Sequence, residues 1–486
     1  MAVLKTENLS FTYPDSDRMA LDSISVEINS GEMILIMGKT GSGKSTLLRM
    51  LKKELTPAGK TEGNITINAK SVAFVQQNPD TSFVAEKVRG ELAFALENKC
   101  MPNNEIALRI GEIASYFNII DLLDKEVSKL SGGEKAVVQI AASMITDADV
   151  IILDEPFSQL DPKACRQIID VVKRINEELG ITVLLSSHEC DGIVDICDRI
   201  IVLESGKIIA DDSPDIISKN DNLINFFPCY TALFEERPLS IKSAVSFAGV
   251  LKEKSIQYPA ESKIVLEAKK ITFSYARREK DVLCSLSYKA YKGKIHAIAG
   301  ANGSGKTTLL KALAGIKKCY AGKIKREGKP AYLPQNVKYL FTKDTVGEEI
   351  NIDTAKKFDL ESCINQHPYD LSGGQMQKLA LAILSQQNFD ILLLDEPSKC
   401  LDSSNKEMLK LYMKSLADNG KTIIFVSHDM DFISETADYV SFLADGIITL
   451  TGDRRTVLSS LNFYTSSIRR ITRKYLKSCT SAEDLL

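Results

Sequence analysis

Two stretches of this chain, GKTGSGKS at 38–45 and GANGSGKT at 300–307, share the spacing GxxxxGK[ST]. Glycines in such a loop let the backbone take conformations closed to other residues, so that its N–H groups converge on a phosphate. The lysine that ends the loop, Lys44 or Lys306, is placed to reach the β- and γ-phosphates, and the next hydroxyl, Ser45 or Thr307, can be offered to Mg²⁺. The candidate nucleotide-binding positions are Gly38, Lys39, Thr40, Gly41, Ser42, Gly43, Lys44, Ser45 and Thr46 in the first copy. In the second they are Gly300, Ala301, Asn302, Gly303, Ser304, Gly305, Lys306, Thr307 and Thr308.

Further chemistry follows each loop. VIILDEP (150–156) and ILLLDEP (391–397) read as buried strands ending in a carboxylate pair. Asp154 and Asp395, at the strand ends, suit a Mg²⁺ shell, and Glu155 and Glu396 are placed to polarise an attacking water as general bases. Of four histidines, two follow apolar runs at matching positions: His188 after ITVLLSS and His428 after KTIIFVS. Their recurrence points to sensors of γ-phosphate charge. His296 and His367 have no counterparts and receive no role. LSGG occurs at 130–133 and 371–374, each time before an amphipathic stretch, and its glycines would open a second anion site at a helix start. Since each nucleotide already has a phosphate loop, this second site must address a phosphate elsewhere.

The elements that position these groups repeat in the same order. Equivalent residues lie 241 apart for the LSGG serines and the glutamates and 240 apart for the histidines, but 262 apart for the loop lysines. The second half is therefore 21 residues shorter between Lys306 and Ser372 than the first is between Lys44 and Ser131. Leu-rich and β-branched runs alternating with amphipathic stretches predict parallel strands with crossover helices, an α/β architecture. At 486 residues the chain suits two domains, placed at 1–235 and 263–486 with a linker over 236–262. A net charge of −3 gives no footprint for nucleic acid. Ten cysteines lie scattered without a CxxC pair, which predicts reduced thiols and no zinc site. The start of the chain lacks an apolar secretory segment, and no run approaches the ~18–20 apolar residues of a membrane span.

Phosphate loop, glutamine loop, LSGG, DEP and histidine in this order resemble the nucleotide-binding domains of ABC ATPases, over nearly all of both halves. The resemblance implies two tandem P-loop NTPase domains, each with a RecA-like mostly parallel sheet, an antiparallel β subdomain and a helical subdomain. It implies that ATP with Mg²⁺ is sandwiched between the phosphate loop of one half and the LSGG of the other, an intrachain pseudo-dimer that needs no homodimer. Lys44, Ser45, Gln77, Asp154, Glu155 and His188 would then face Ser372, Gly373 and Gly374. Lys306, Thr307, Gln335, Asp395, Glu396 and His428 would face Ser131, Gly132 and Gly133. By the same carry-over, Tyr13 and Tyr275 stack on adenine, and Gln77 and Gln335 link metal and water to a coupling surface. Asp161 and Asp402 are the aspartates that cross between domains. Ala136 and Val137 depart from the usual Gln-Arg after LSGG, and Lys399 replaces a small serine; neither change removes a catalytic group.

Within the family, NPDTSFVAEKVRGELAFALEN after Gln77 is similar to the ATPases of energy-coupling-factor (ECF) transporters for vitamins or cobalt and nickel. That implies a transmembrane scaffold subunit and, through it, a substrate-binding membrane subunit as partners, with the chain peripheral on the cytoplasmic face of the membrane and no nucleic acid. The shorter second half suggests two unlike grooves for two coupling helices, with a neutral shortening of the loop as the alternative. A conventional importer ATPase, for instance for sugars, and a tandem protein acting on ribosomes stay open as alternatives. The basic stretch SIRRITRKYLK near the end reads as a solvated helix end, with membrane or partner contact the other option.

Overall fold

The computed structural model describes residues 2–14, 16, 18–77, 82–157, 160, 162–187, 192–255, 263–276, 279–399 and 401–486. The chain divides into two compact units, Met1–Thr231 and Ala232–Leu486.

In the first unit the strands and helices run β1 (Ala2–Thr12), β2 (Met19–Asn29), β3 (Met33–Gly38), α1 (Lys44–Met50), β4 (Lys60–Ile67) and β5 (Val72–Val75). Then come α2 (Val88–Asn98), α3 (Asn103–Tyr116), α4 (Gly132–Met144), β6 (Val150–Asp154), α5 (Pro162–Leu179) and β7 (Thr182–Ser186). The unit closes with β8 (Arg199–Glu204), β9 (Lys207–Asp212) and the short α6 (Pro214–Ile217). Its main sheet has the order β5-β6-β7-β3-β8-β9, parallel except for β9, and a smaller antiparallel sheet runs β2-β1-β4. Every residue of β3, β6 and β7 is buried. A strand with both faces covered has no polar side to keep, which is why VIILD and TVLLS do not alternate. Since all central strands point the same way, their carboxyl ends gather at one edge, where ligands of open α/β sheets bind.

The second unit opens with α7 (Ile241–Phe247) and repeats the plan with β10 (Ile264–Phe273), β11 (Leu283–Tyr291), β12 (Ile295–Ala299), α8 (Lys306–Ala314), β13 (Ala321–Arg326) and β14 (Pro330–Leu333). It continues through α9 (Val346–Glu349), α10 (Ile352–Lys357), α11 (Gly373–Ser385), β15 (Ile391–Asp395), α12 (Ser403–Asp418), β16 (Thr422–Val426) and α13 (Met430–Thr436). Its last elements are β17 (Tyr439–Ala444), β18 (Ile447–Asp453), α14 (Arg454–Ser460) and α15 (Ser467–Thr472). The sheets run β14-β15-β16-β12-β17-β18 and β11-β10-β13, the same topology as in the first unit.

Among the described residues, two differences between the units bear on the sequence reading. Between the glutamine loop and LSGG, the first has helices of 11 and 14 residues, α2 and α3. The second has α9 and α10, of 4 and 6 residues. The missing residues were thus taken from a helical subdomain, and the strands around it kept their register. At the chain's end, α15 is not a solvated helix. Ile468 and Ile471 are buried, and the helix packs on α7 and α13. Of the segment expected to link the domains, residues 236–255 are described. Their Glu253 carboxylate accepts from the Lys477 and Ser478 backbone N–H groups at 3.2 and 3.1 Å, and the Leu486 N–H donates to Lys252 O at 2.9 Å.

Candidate functional site

At the carboxyl end of β3 the chain turns through the glycine loop into α1. Gly43 precedes the helix at φ 103°, and a Cβ there would lie 2.5 Å from the Ala20 carbonyl oxygen, so both backbone angle and space require glycine. Gly305 repeats this at φ 102° before α8. The buried Lys44 ammonium donates to the carbonyls of Gly38 (2.7 Å) and Lys39 (3.2 Å), and Lys306 to those of Gly300 (2.9 Å) and Ala301 (3.0 Å). The two lysines are thus curled over their own loops. The Ser42 and Ser304 hydroxyls are buried beside them without a hydrogen-bond partner, the kind of atom an incoming oxyanion satisfies.

The hydroxyl after the lysine meets the strand-end aspartate in both units. Ser45 Oγ donates to Asp154 Oδ1 and Thr307 Oγ1 to Asp395 Oδ1, each at 2.9 Å. Burial is the main influence on both carboxyls and raises their pKa above the usual carboxylate value, against the hydroxyls that favour the ionised form. A hard cation fits this donor set: one carboxylate and one hydroxyl per site, the remaining positions left to water and phosphate oxygens. Among the described residues no cluster of three or more His, Cys, Asp or Glu side chains forms a protein-only cage.

Glu155 and Glu396 follow at φ 49° and 53°, a left-handed conformation disfavoured for any side chain and costing of order 1–2 kcal/mol. Gln77 and Gln335 are both exposed; Gln77 Nε2 donates to Glu155 Oε2 at 2.8 Å, and Glu396 Oε2 lies 2.9 Å from His428 Nδ1. His188 and Asp161 lie outside the described residues.

Tyr13 and Tyr275 pair their hydroxyls with Thr46 Oγ1 (3.0 Å) and Thr308 Oγ1 (2.9 Å), and each packs edge-on against Phe11 or Phe273. Ser131 and Ser372 are the N-caps of α4 and α11, in capping boxes with Glu134 and Gln375, so Gly132, Gly133, Gly373 and Gly374 form the first turns. Asp402 caps α12, accepting from the Asn405 N–H at 2.9 Å. His296 is a packing residue: it stacks on Tyr439, accepts from the Tyr291 N–H at 2.9 Å, and burial lowers its pKa to about 3. His367 accepts from the Tyr369 N–H at 3.1 Å.

Sequence reasoning passed over three sets of residues. Ser186 Oγ donates to Asp154 Oδ1 at 2.8 Å and accepts from the Glu155 N–H at 3.0 Å. Tyr332 OH donates to Asp395 Oδ2 at 3.1 Å. Glu91 and Glu349 occupy equivalent positions after the glutamine loops, where Glu91 accepts from the Val84 and Ala85 N–H groups and Glu349 from those of Thr342 and Lys343. Only the last pair carried a sequence signal, since each stands 14 residues after its loop glutamine.

A family model described as ABC transporter matches residues 21–158 and 283–399. A protein of Bacillus thuringiensis subsp. konkukian, provisionally named an ABC transporter ATP-binding protein, is 35% identical over 100% of this chain and 98% of its own length. One of Bacillus subtilis, provisionally named an HMP/thiamine import ATP-binding protein, is 29% identical over 94% of this chain and 92% of its own. Among solved structures, an archaeal ribosome recycling factor in complex with a ribosomal stalk protein is similar with a TM-score of 0.63 at 22% identity, covering 93% of this chain and 91% of the other. At that identity the likeness is one of fold.

Proposed function

Because the chain belongs to the ABC transporter family, as an ATP-hydrolysing member with two tandem ATPase domains, we propose that it is the energy-coupling subunit of an importer of the ECF type. In this reading it works on the cytoplasmic face of the membrane and binds a transmembrane scaffold that carries a substrate-binding subunit. Among the described residues no helix is long and apolar enough to cross a membrane, so the transport path would belong to those partners.

One observation carries the reading furthest: two unlike helical subdomains, each following a phosphate loop, in one chain. The first subdomain exposes Val84, Phe94 on α2 and Leu108 on α3; the second is reduced to two short helices and exposes Tyr339 and Tyr369. Two surfaces of different shape suit two different coupling helices of one scaffold. The provisional vitamin-import name of the Bacillus subtilis relative supports the same class.

In the proposed cycle, Lys44 and Lys306 release their loop carbonyls and turn to the β- and γ-phosphates of ATP. Ser45 with Asp154, and Thr307 with Asp395, would hold Mg²⁺, which neutralises charge on the phosphates. Tyr13 and Tyr275 stack on adenine. Glu155 and Glu396 polarise water for attack on the γ-phosphate, Gln77 and Gln335 orient it, and His188 and His428 stabilise the charge that develops. Ser131, Gly132 and Gly133, and Ser372, Gly373 and Gly374, close on the nucleotide of the opposite half, with Asp161 and Asp402 crossing between halves. Closure follows because each γ-phosphate then has ligands in both halves, and hydrolysis removes that bridge.

Purification of the tagged chain from its native membrane should bring down one hydrophobic scaffold protein and a small membrane protein. Recovery instead with ribosomes in an ATP-dependent sedimentation assay, or with an extracytoplasmic receptor system, would reject the ECF assignment. Lys44→Ala and Lys306→Ala should each weaken ATP binding at one site by about 10- to 100-fold, the range expected for losing a charged hydrogen-bond donor worth about 1.5–3 kcal/mol. Isothermal titration showing two full-affinity sites in either variant would contradict the loop assignment.

A further inference from the structure

We propose that Ser186 and Tyr332 are positioning residues for the metal-side aspartates, each serving one site and each reaching it from the opposite neighbouring strand. The inference rests on the assignment of two metal–nucleotide sites and is independent of what is transported.

The sheets make the two positions comparable residue by residue. Asp154 on β6 is paired in register with Ser186 on β7, and Asp395 on β15 with Val426 on β16. On the other side, Ile152 of β6 is paired with Phe74 of β5, and Leu393 of β15 with Tyr332 of β14. Each aspartate therefore has one hydroxyl-bearing neighbour and one that lacks a hydroxyl, and the sides are exchanged. In the first unit the donor is Ser186 and Phe74 is apolar; in the second the donor is Tyr332 and Val426 is apolar.

The exchange changes how each carboxylate is held. Ser45 and Ser186 both donate to Asp154 Oδ1, so the two bonds share one oxygen. Thr307 and Tyr332 donate to different oxygens of Asp395, which fixes the plane of the carboxylate from both ends. Ser186 also accepts from the Glu155 N–H, joining the metal-side aspartate to the proposed base, while the Glu396 N–H donates to the Val426 backbone oxygen at 3.0 Å and needs no side chain. Hydrogen bonds to a ligating carboxylate orient it, and their loss typically costs 10- to 100-fold in metal affinity.

The test uses Mn²⁺ as the probe, added to the full-length chain with a non-hydrolysable ATP analogue and followed by electron paramagnetic resonance of the free ion. Tyr332→Phe is measured in a Lys44→Ala background, which leaves the second site loaded, and Ser186→Val in a Lys306→Ala background. Each should lower Mn²⁺ affinity about 10-fold, while analogue binding in EDTA changes less than about 2-fold, showing a folded loop. Supplying the donor from the other strand should restore most of the loss: Phe74→Tyr added to Ser186→Val, and Val426→Ser added to Tyr332→Phe. Unchanged Mn²⁺ affinity, a metal-free loss as large as the metal-dependent one, or exchanges that restore nothing would each overturn the inference. Were the unsubstituted chain to bind no Mn²⁺ with the analogue, the site assignment beneath it would fall as well.

Discussion

With Glu155 and Glu396 both replaced by Gln, ATP turnover should fall by about 10²- to 10⁴-fold, the range a positioned general base contributes, while ATP binding persists. The substitution keeps side-chain size and removes the basic oxygen. Both glutamates occupy left-handed backbone positions directly after a buried strand, so the replacement inherits the same placement. Each keeps a neighbour that can hold it: Gln77 Nε2 at 2.8 Å from Glu155 and His428 Nδ1 at 2.9 Å from Glu396. Glu155→Gln and Glu396→Gln should each reduce phosphate release from the full chain. A steady-state assay in which either single variant matches the unsubstituted protein would remove that glutamate from the catalytic machinery.

Asp484→Ala should destabilise the second unit by about 3–5 kcal/mol, the cost of leaving buried charges without their counter-ion. The Asp484 carboxylate is 1% exposed and accepts from Arg454 Nη2 (2.6 Å), Arg455 Nε (2.9 Å), Thr480 N (2.9 Å), Thr480 Oγ1 (3.0 Å) and Ser481 N (3.0 Å). The side chain thus ties the end of the chain to the start of α14, while the Asp484 backbone carbonyl, which the substitution leaves in place, accepts from the Lys254 N–H at 2.8 Å. A loss of this size corresponds to a lowering of the melting temperature by roughly 6–20 °C for a domain of this size. Calorimetry should show it in the transition of the second unit alone; a shift under about 2 °C would show the carboxylate to be dispensable. The pH dependence has a definite sign. Burial acts to raise the Asp484 carboxyl, but Arg454, the Thr480 N–H and Arg455 together hold it below the usual value of 3.8. The carboxylate is therefore favoured in the folded state, its stabilisation is complete above the unfolded pKa, and it is lost as pH falls through the folded one.

The phosphate loops, the Asp-Glu pairs and the LSGG turns could be located in the sequence because each is contiguous and its chemistry depends on neighbours along the chain. Strand direction was equally legible: unbroken apolar runs such as VIILD and ILLLD have no polar face, so they must be central and parallel. The histidine pair and the missing 21 residues came from repetition, which needs no coordinates. What the tertiary structure decided is what each carboxylate touches. Ser186 and Tyr332 lie 32 residues after Asp154 and 63 before Asp395, and only strand order places them beside those aspartates, so no local spacing could mark them. The same holds for α15. A basic stretch reads as solvated until Ile468 and Ile471, three apart, find α7, which stands more than 200 residues earlier in the chain. Local sequence dictates backbone conformation and which groups a loop offers; which distant side chain answers a buried carboxylate or covers an apolar face is set by how the sheet is wound.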